Sequence, residues 1–403
     1  MLSIHSLRGN PLVLALAMAI STFASSIVTP YISPYFLLLG GSEVLVGIFW
    51  AASSLLNLLV VLPGGYFADV SGRKRILVPA TFLTAFAYLL FSGSSSWAFL
   101  FIPQALIAIA TLSNPALDAI LADSMPEKQR STGFGLVLAF SSLGWTFGPL
   151  VGGYLYDIEG EWGIRVAFLI SAVGIATVGF TYHMFLKETF LGGERQQTIM
   201  KALESSSSVS RNLPRFLVEM SSAFSQMSRP AKRFLFGYVF YEASGSVVSA
   251  YWSLLILYAM GFSGVEFGFI ELAAGLSLIA FSIPIGRFSD RIGRPRAALL
   301  IAICSAALLV WVVNSHLFIE VLLIGSLLDI FDPRPSVHGL RADLIPQHIR
   351  GRVISLLSVA GYAGGALSVA VGGLLYTMGP RLPFYMSAVL LLISGLCFVS
   401  TSH

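Results

Sequence analysis

Apolar residues in this chain do not recur at the spacing of one buried helix face. They fill windows of about 20 consecutive positions, the length that carries an α-helix across roughly 30 Å of hydrocarbon. Twelve such windows begin near residues 11, 44, 76, 97, 131, 165, 234, 264, 297, 317, 353 and 381. Backbone polar groups in lipid must be satisfied within the segment, so each window predicts a spanning helix. The pattern therefore predicts an all-α membrane protein with twelve transmembrane helices. The first apolar window, 11–39, is too long for a signal-peptide core and shows no cleavage site, so it is expected to stay as the first helix.

The longest polar stretch, residues 187–233, separates six windows from six and contains the serine run 205–208. It predicts a first bundle at 1–187, a cytoplasmic linker at 188–230 and a second bundle at 231–403. Within the linker, Leu213, Phe216, Leu217, Met220, Phe224 and Met227 recur at steps of three and four, with Arg215, Glu219 and Gln226 elsewhere on the wheel. That spacing predicts an amphipathic helix lying on the membrane surface as a strut between the halves.

Composition agrees with the pattern. In 403 residues, 56% are hydrophobic and only 11% charged, and the mean hydropathy is +0.82. A secreted or cytosolic enzyme of this length is excluded. Net charge is +4, but no basic cluster sits in a soluble fold, so nucleic acid is not an expected partner. The basic residues instead report orientation. Those at 8, 73–75, 128, 130, 187–233, 287–296, 341, 350 and 352 fall on one side, while Arg165 and Arg381 fall on the other. The first side is cytoplasmic by the positive-inside rule, and an even number of crossings puts both termini there, in the cell membrane. Arg334 is left inside a span. Cys304 and Cys397 lie in apolar runs, so neither a disulfide framework nor a metal site is expected, and no cofactor is implied.

The two halves repeat. Pro63, Gly65, Asp69, Gly72, Arg73 and Arg75 recur 221 positions later as Pro284, Gly286, Asp290, Gly293, Arg294 and Arg296. At an offset of 220, Asp123, Pro126, Arg130, Gly144, Gly152 and Gly153 recur as Asp343, Pro346, Arg350, Gly364, Gly372 and Gly373. Two six-helix bundles related by a parallel repeat place a substrate site near the midplane, opened to alternate sides by rocking.

These residues resemble the major facilitator superfamily over essentially the whole chain. Residues 64–75 (GGYFADVSGRKR) are similar to that family's loop G-x-x-x-D-[RK]-x-G-R-[RK], departing at Val70, and the copy from Gly286 (GRFSDRIGRPR) departs at Pro295. The resemblance implies that Asp69 and Arg73 join Asp123, and that Asp290 and Arg294 join Asp343, in charge networks that gate the cytoplasmic side. A reading from the residues alone is a short turn of five residues in which a carboxylate sits against a helix N-terminus. In the fifth helix, Gly135, Gly144, Gly148, Pro149, Gly152 and Gly153 match G-x8-G-x3-G-P-x2-G-G, which resembles the antiporter motif of drug/proton exchangers. Physically, those glycines predict a close interface between halves, and Pro149 a bend. The eleventh helix carries Ser368 and Val369 in place of Gly148 and Pro149.

Charges that break the repeat are the better candidates for specific chemistry. Glu242 lies nine residues past Arg233, about 14 Å along a helix and near mid-bilayer. Asp329 and Asp332 lie three apart in the tenth helix, and two carboxylates on one face favour protonation of one of them. Glu242, Asp329, Asp332 and, in the eighth helix, Glu271 are the candidate proton carriers. Arg334 is about 200° around an ideal helix from Asp332, so Glu242 is its expected partner unless Pro333 and Pro335 distort the turn. His338, one turn on, is a helix-end residue or a proton path toward the cytoplasm. The resemblance implies that helices one, four, seven and ten line the cavity, so Arg334, Tyr31, Tyr35, Gln104, Asn114, Tyr238 and Tyr241 are the substrate-binding candidates. The fourth helix lacks the arginine usual in drug exchangers and has Pro103 and Gln104 there, so any coupling is expected in the second half.

Two functions follow as expectations. The first is proton-coupled export of small, partly apolar organic compounds by alternating access, as a monomer in the lipid bilayer. The second is symport or uniport of a small organic anion or nutrient, with Arg334 as anchor. A lipid-moving or signalling role is a third. The chain has no H-E-x-x-H, G-x-S-x-G or phosphate-binding G-x-x-x-x-G-K-[ST], so no enzyme is expected.

Overall fold

The structure is a computed structural model that describes residues 9–70, 72–125, 130–189, 221–222, 224–346 and 350–402. The first span is α1 (Asn10–Val28) and α2 (Ile32–Leu38), separated by a tighter turn at Thr29–Tyr31; α3 (Glu43–Val70) and α4 (Arg73–Ser92) follow. The fourth span is α5 (Phe101–Ala110) and α6 (Asn114–Asp123), and α7 (Arg130–Glu159) and α8 (Glu161–Phe185) complete the first six. The seventh span, α9 (Arg229–Leu254), ends in a wide turn at Leu255–Ala259, and α10 (Gly264–Ile292) and α11 (Arg294–Val312) come next. The tenth is α12 (Phe318–Ile330) and α13 (Arg334–Leu344), and α14 (Arg350–Met378) and α15 (Leu382–Val399) close the set. Most of the surface amphipathic helix expected at 213–227 lies outside the described residues.

Nine stretches among the described residues are by themselves long and apolar enough to cross a membrane. The fifth and seventh spans are not among them because glycine in the described part of α7, and tyrosine, serine, glycine and Glu242 in α9, lower their hydropathy. The tenth is not because α12 ends after 13 residues. Met378 is 77% exposed, Met184 70% and Leu367 69%, a pattern that lipid tolerates and water does not.

The three interrupted spans break at prolines. Pro30, Pro115 and the pair Pro333 and Pro335 each lack an N–H and crowd the preceding turn, so the helix restarts instead of continuing. Asn114 and Arg334, which open α6 and α13, are repeat counterparts, so the break is itself duplicated. The five-residue turns expected after the second and eighth helices are shorter than that. α3 stays helical to Val70 and α10 to Ile292, and Gly72 (φ 88°) and Gly293 (φ 89°) reverse the chain in a backbone conformation that a side chain would strain.

The described residues divide into two compact units, one drawn from Met1–Gly41, Leu59–Lys201 and Phe262–Gly275, the other from Ser42–Leu58, Ala202–Gly261 and Leu276–His403. The core of the first is built on Leu14, Leu77, Ile120, Val178 and Tyr182, and that of the second on Phe234, Ala298, Leu340, Leu357 and Phe398. The repeat extends to single hydrogen bonds. The buried Tyr31 hydroxyl donates to the Pro149 carbonyl (2.8 Å), and Tyr251, 220 positions on, donates to that of Val369 (3.1 Å).

Candidate functional site

In the second unit, α9 and the break in the tenth span bring together most of the second-half candidates. α9 carries Tyr238, Tyr241 and Glu242, and Tyr238, one turn before Glu242, sets its hydroxyl beside that carboxylate. The two tyrosine rings lie 6.4 Å apart. A Cβ added at Gly361 of α14 would lie 3.1 Å from Glu242 Cγ and 3.2 Å from the Tyr238 ring, so the missing side chain there is what admits the acid.

Across from α9, Asp332 organises the break. Its Oδ1 accepts from the Arg334 backbone N–H at 2.7 Å, capping the start of α13, and from the Tyr241 hydroxyl at 3.3 Å. Its Oδ2 forms the ion pair with the Arg334 guanidinium. The ideal-helix expectation that pointed Arg334 at Glu242 is therefore corrected. Because the helix restarts at Arg334, the 200° separation does not hold, and the ion-pair partner is two residues away in sequence. Asp332 is 15% exposed and Arg334 56%. Asp329, one turn back on α12, makes no hydrogen bond among the described residues and feels the charges of Asp332 and Arg334. Three carboxylates and one guanidinium thus share one unit.

The first-half candidates are placed differently. Tyr31 and Tyr35 are buried, and the Tyr35 hydroxyl donates to the carbonyl of Phe91 at 3.0 Å. With Tyr31 bonded to Pro149, both hydroxyls are engaged with main chain. Gln104 is buried in α5, whereas Asn114 is exposed at the start of α6. A cavity of about 230 Å³ inside the first unit is lined by Ser21, Thr22, Thr81, Thr84, Ser113 and Asn114 among others. The Thr22, Thr81, Thr84 and Ser113 hydroxyls donate to carbonyls of their own spans, as in Thr81 to Leu77 (2.8 Å) and Thr84 to Ala80 (3.0 Å). The cavity is therefore offered mainly acceptor lone pairs. Glu271 lies in the part of α10 that groups with the first unit.

The two loop motifs form similar networks. Arg73 ion-pairs with Asp123 and donates to the Ala119 carbonyl (3.2 Å) and to Thr189 Oγ1 (3.2 Å). Arg294 contacts both oxygens of Asp343 at 2.7 Å, Asp290 at 3.2 Å and the Gly339 carbonyl at 3.0 Å. Asp69 lies in α3, and its side chain falls outside the described residues. Exposed pairs of this kind contribute about 0–1 kcal/mol to stability. Asp343, 55% exposed, is such a partner, so Asp343→Asn should lower Tm by no more than a few degrees while reducing solute flux at least tenfold. A thermal melt and a flux assay on the same preparation check this, and equal flux in both proteins would overturn the gating role that the resemblance implies.

The fifth-helix motif divides by contact. A Cβ at Gly148 would lie 2.8 Å from the Phe23 carbonyl oxygen, and one at Gly152 2.6 Å from the Tyr31 ring. Gly144, Gly148 and Gly152 thus pack on the first span of the same bundle, which accounts for three glycines expected at an interface between halves. Gly153 meets Gly264 of α10, and Gly135 has nothing within 4 Å among the described residues. α7 remains a continuous helix through Pro149.

Several residues were not singled out from sequence. Glu188 accepts from the Lys74 backbone N–H (3.0 Å), capping α4, but reads as linker in the chain. A side chain at Gly339 would overlap Arg294, 2.7 Å from its Nε. Asp118 is exposed within the fourth span and has no hydrogen-bond or ion-pair partner among the described residues. Its repeat counterpart is His338, so the unequal charge was available as a signal.

The sequence profile of the Major Facilitator Superfamily matches residues 14–227 and 234–402. The chain is 25% identical over 361 residues to Multidrug resistance protein 2 of Bacillus subtilis (strain 168), covering 87% of this chain and 84% of that protein. It is 32% identical over 171 residues to a Na(+), Li(+), K(+)/H(+) antiporter of Planococcus maritimus, covering 40% of this chain and 38% of that one. Among solved structures, a peptide transporter POT in complex with sulfate superposes with a TM-score of 0.75 at 14% identity, covering 98% of this chain and 94% of that one.

Proposed function

Because the chain belongs to the major facilitator superfamily, and is a multi-pass membrane transporter and not an enzyme, we propose that it exports small, partly apolar organic compounds in exchange for protons. The observation that carries this reading is the acidic group of the second unit, where Glu242, Asp329 and Asp332 all feel the charge of Arg334, which Asp332 already pairs. A net-acidic site inside a membrane is expensive unless it exchanges protons or cations. In this reading Asp332 is the organiser of the break, and Glu242 and Asp329 carry the proton. Tyr238 and Tyr241 offer aromatic surface beside them. Glu271 remains a further acid within the span. The printed names of the multidrug resistance and cation/proton antiporter relatives support exchange.

The sequence halves 1–187 and 231–403 are the moving bodies, joined by 188–230. The Arg73–Asp123 and Arg294–Asp343 networks gate their cytoplasmic side. The basic-residue bias supports cytoplasmic termini in the cell membrane, with the chain acting as a monomer. The exposure of Arg334 supports a second reading, symport or uniport of an organic anion, although an anion there must compete with Asp332.

Liposomes holding a pH dye separate the two. A lipophilic cation added outside is expected to make the lumen more alkaline. If an organic anion instead acidifies the lumen and Arg334→Ala stops it, export gives way to symport.

A further inference from the structure

The start of α10 is capped twice, by different parts of the chain. Its own flanking residues form a capping box, in which Ser263 Oγ accepts from the Glu266 N–H (3.1 Å) and Glu266 Oε2 accepts from the Ser263 N–H (2.8 Å). The two remaining donors are taken from a distance of more than a hundred residues. Asp157, near the end of α7, accepts from the Gly264 N–H at 2.6 Å and from the Val265 N–H at 2.8 Å. One carboxylate thus satisfies two adjacent orphan donors and sits at the positive end of the helix dipole.

The surrounding contacts reinforce the same junction. The Tyr31 hydroxyl lies 3.3 Å from the Gly264 carbonyl, and the Tyr31 and Phe267 rings meet edge to face at 5.5 Å. A Cβ at Gly268 would lie 2.7 Å from Leu150 Cα, and one at Gly275 2.7 Å from Thr146 Oγ1. These contacts explain why Phe262–Gly275 groups with the first unit although the rest of α10 groups with the second. The repeat adds an asymmetry. Asp157 has Thr377 as its counterpart 220 positions on, and the Thr377 hydroxyl donates to its own helix at Leu374 (2.8 Å). The acid is present in one half alone.

We propose that Asp157 is a releasable latch holding the start of the eighth span to the fifth, and that it opens in each transport cycle. The proposal rests on the alternating-access reading above. The capping box is what makes release workable: when Asp157 lets go, α10 keeps its own cap and does not fray. Elsewhere along the junction the helices meet through the small surfaces of Gly153, Gly264, Gly268 and Gly275, with Phe267 against Tyr31 as the large side-chain contact described.

Hydrogen–deuterium exchange on the full-length protein in nanodiscs reads the two bonded amides directly. Asp157→Ala is expected to speed exchange at Gly264 and Val265 at least tenfold, Asp157→Asn by a smaller factor because one acceptor remains, and Thr377→Ala not at all. Unchanged exchange in Asp157→Ala would overturn the proposal. A second measurement separates a latch from a fixed cap. Ile270 is fully buried, so Ile270→Cys, with Cys304 and Cys397 replaced by serine, is expected to react slowly with a membrane-impermeant maleimide and several-fold faster when Asp157→Ala is added. Faster amide exchange with unchanged labelling would show a static cap and overturn the latch. Neither readout uses a substrate, so a failed flux assay faults the exchange reading and leaves these outcomes standing.

Discussion

Asp329→Asn should reduce substrate-driven proton movement at least a hundredfold while leaving the folded yield unchanged. The substitution keeps the shape of the side chain and removes its titratable proton. Asp329 makes no hydrogen bond among the described residues, so no partner is orphaned by the change. Exchange of labelled for unlabelled substrate needs no net proton transfer and should survive. Asp332→Asn should behave in the opposite way. Asparagine caps a helix about as well as aspartate, but the Arg334 guanidinium loses its ion-pair partner. With Asp332 15% and Arg334 56% exposed, the pair lies between a surface pair, worth about 0–1 kcal/mol, and a buried one, so a loss of about 1 kcal/mol is expected, seen as a slightly lower Tm. The paired measurement is pH-dye flux and thermal unfolding on both variants. Full proton coupling in Asp329→Asn would move the carrier role to Glu242, for which Glu242→Gln is the matching test.

Gly152→Val should abolish folded protein, whereas Gly135→Ala should be silent, although both glycines belong to one motif. At Gly152 an added Cβ would overlap the Ile27 carbonyl and lie 2.6 Å from the Tyr31 ring, and Tyr31 is pinned by its bond to Pro149. Backbone and a bonded ring cannot shift as a flexible side chain would. Overpacking typically costs about 1–3 kcal/mol and exceeds that when backbone must move. At Gly135 nothing among the described residues lies within 4 Å, and alanine gains up to about 1 kcal/mol of helix propensity. Monodisperse yield by size-exclusion chromatography and Tm of both variants decide the matter. A well-folded Gly152→Val protein would mean that α7 and α1 do not approach as described.

The candidate site was legible in part. Glu242, Asp329, Asp332 and Arg334 stand out in the chain because charge inside a span is conspicuous and because none of them is repeated. Their roles were not legible. Arg334 and Asp332 are placed on different faces by helical arithmetic, and that arithmetic assumes a continuous helix which Pro333 and Pro335 end. Tyr31 and Tyr35 looked available because aromatic residues on a cavity-lining helix are chemically suitable for substrate, but suitability does not reveal that a hydroxyl already donates to a carbonyl more than fifty positions away.

What the sequence by itself determined is whatever accumulates along the chain. The spans, their grouping into six and six, the basic-residue bias and the duplicated Asp–Gly–Arg loops all follow from hydropathy and residue identity, because solvation by lipid acts on each segment independently. What only the tertiary structure decided is which groups meet. It alone paired Arg334 with Asp332, turned Gly144, Gly148 and Gly152 toward the first span and Gly153 toward the eighth, and set Asp157 on the amides of Gly264 and Val265. A hydrogen bond or a close approach depends on distances of a few ångströms between residues far apart in sequence, and no sum over local preferences contains those distances.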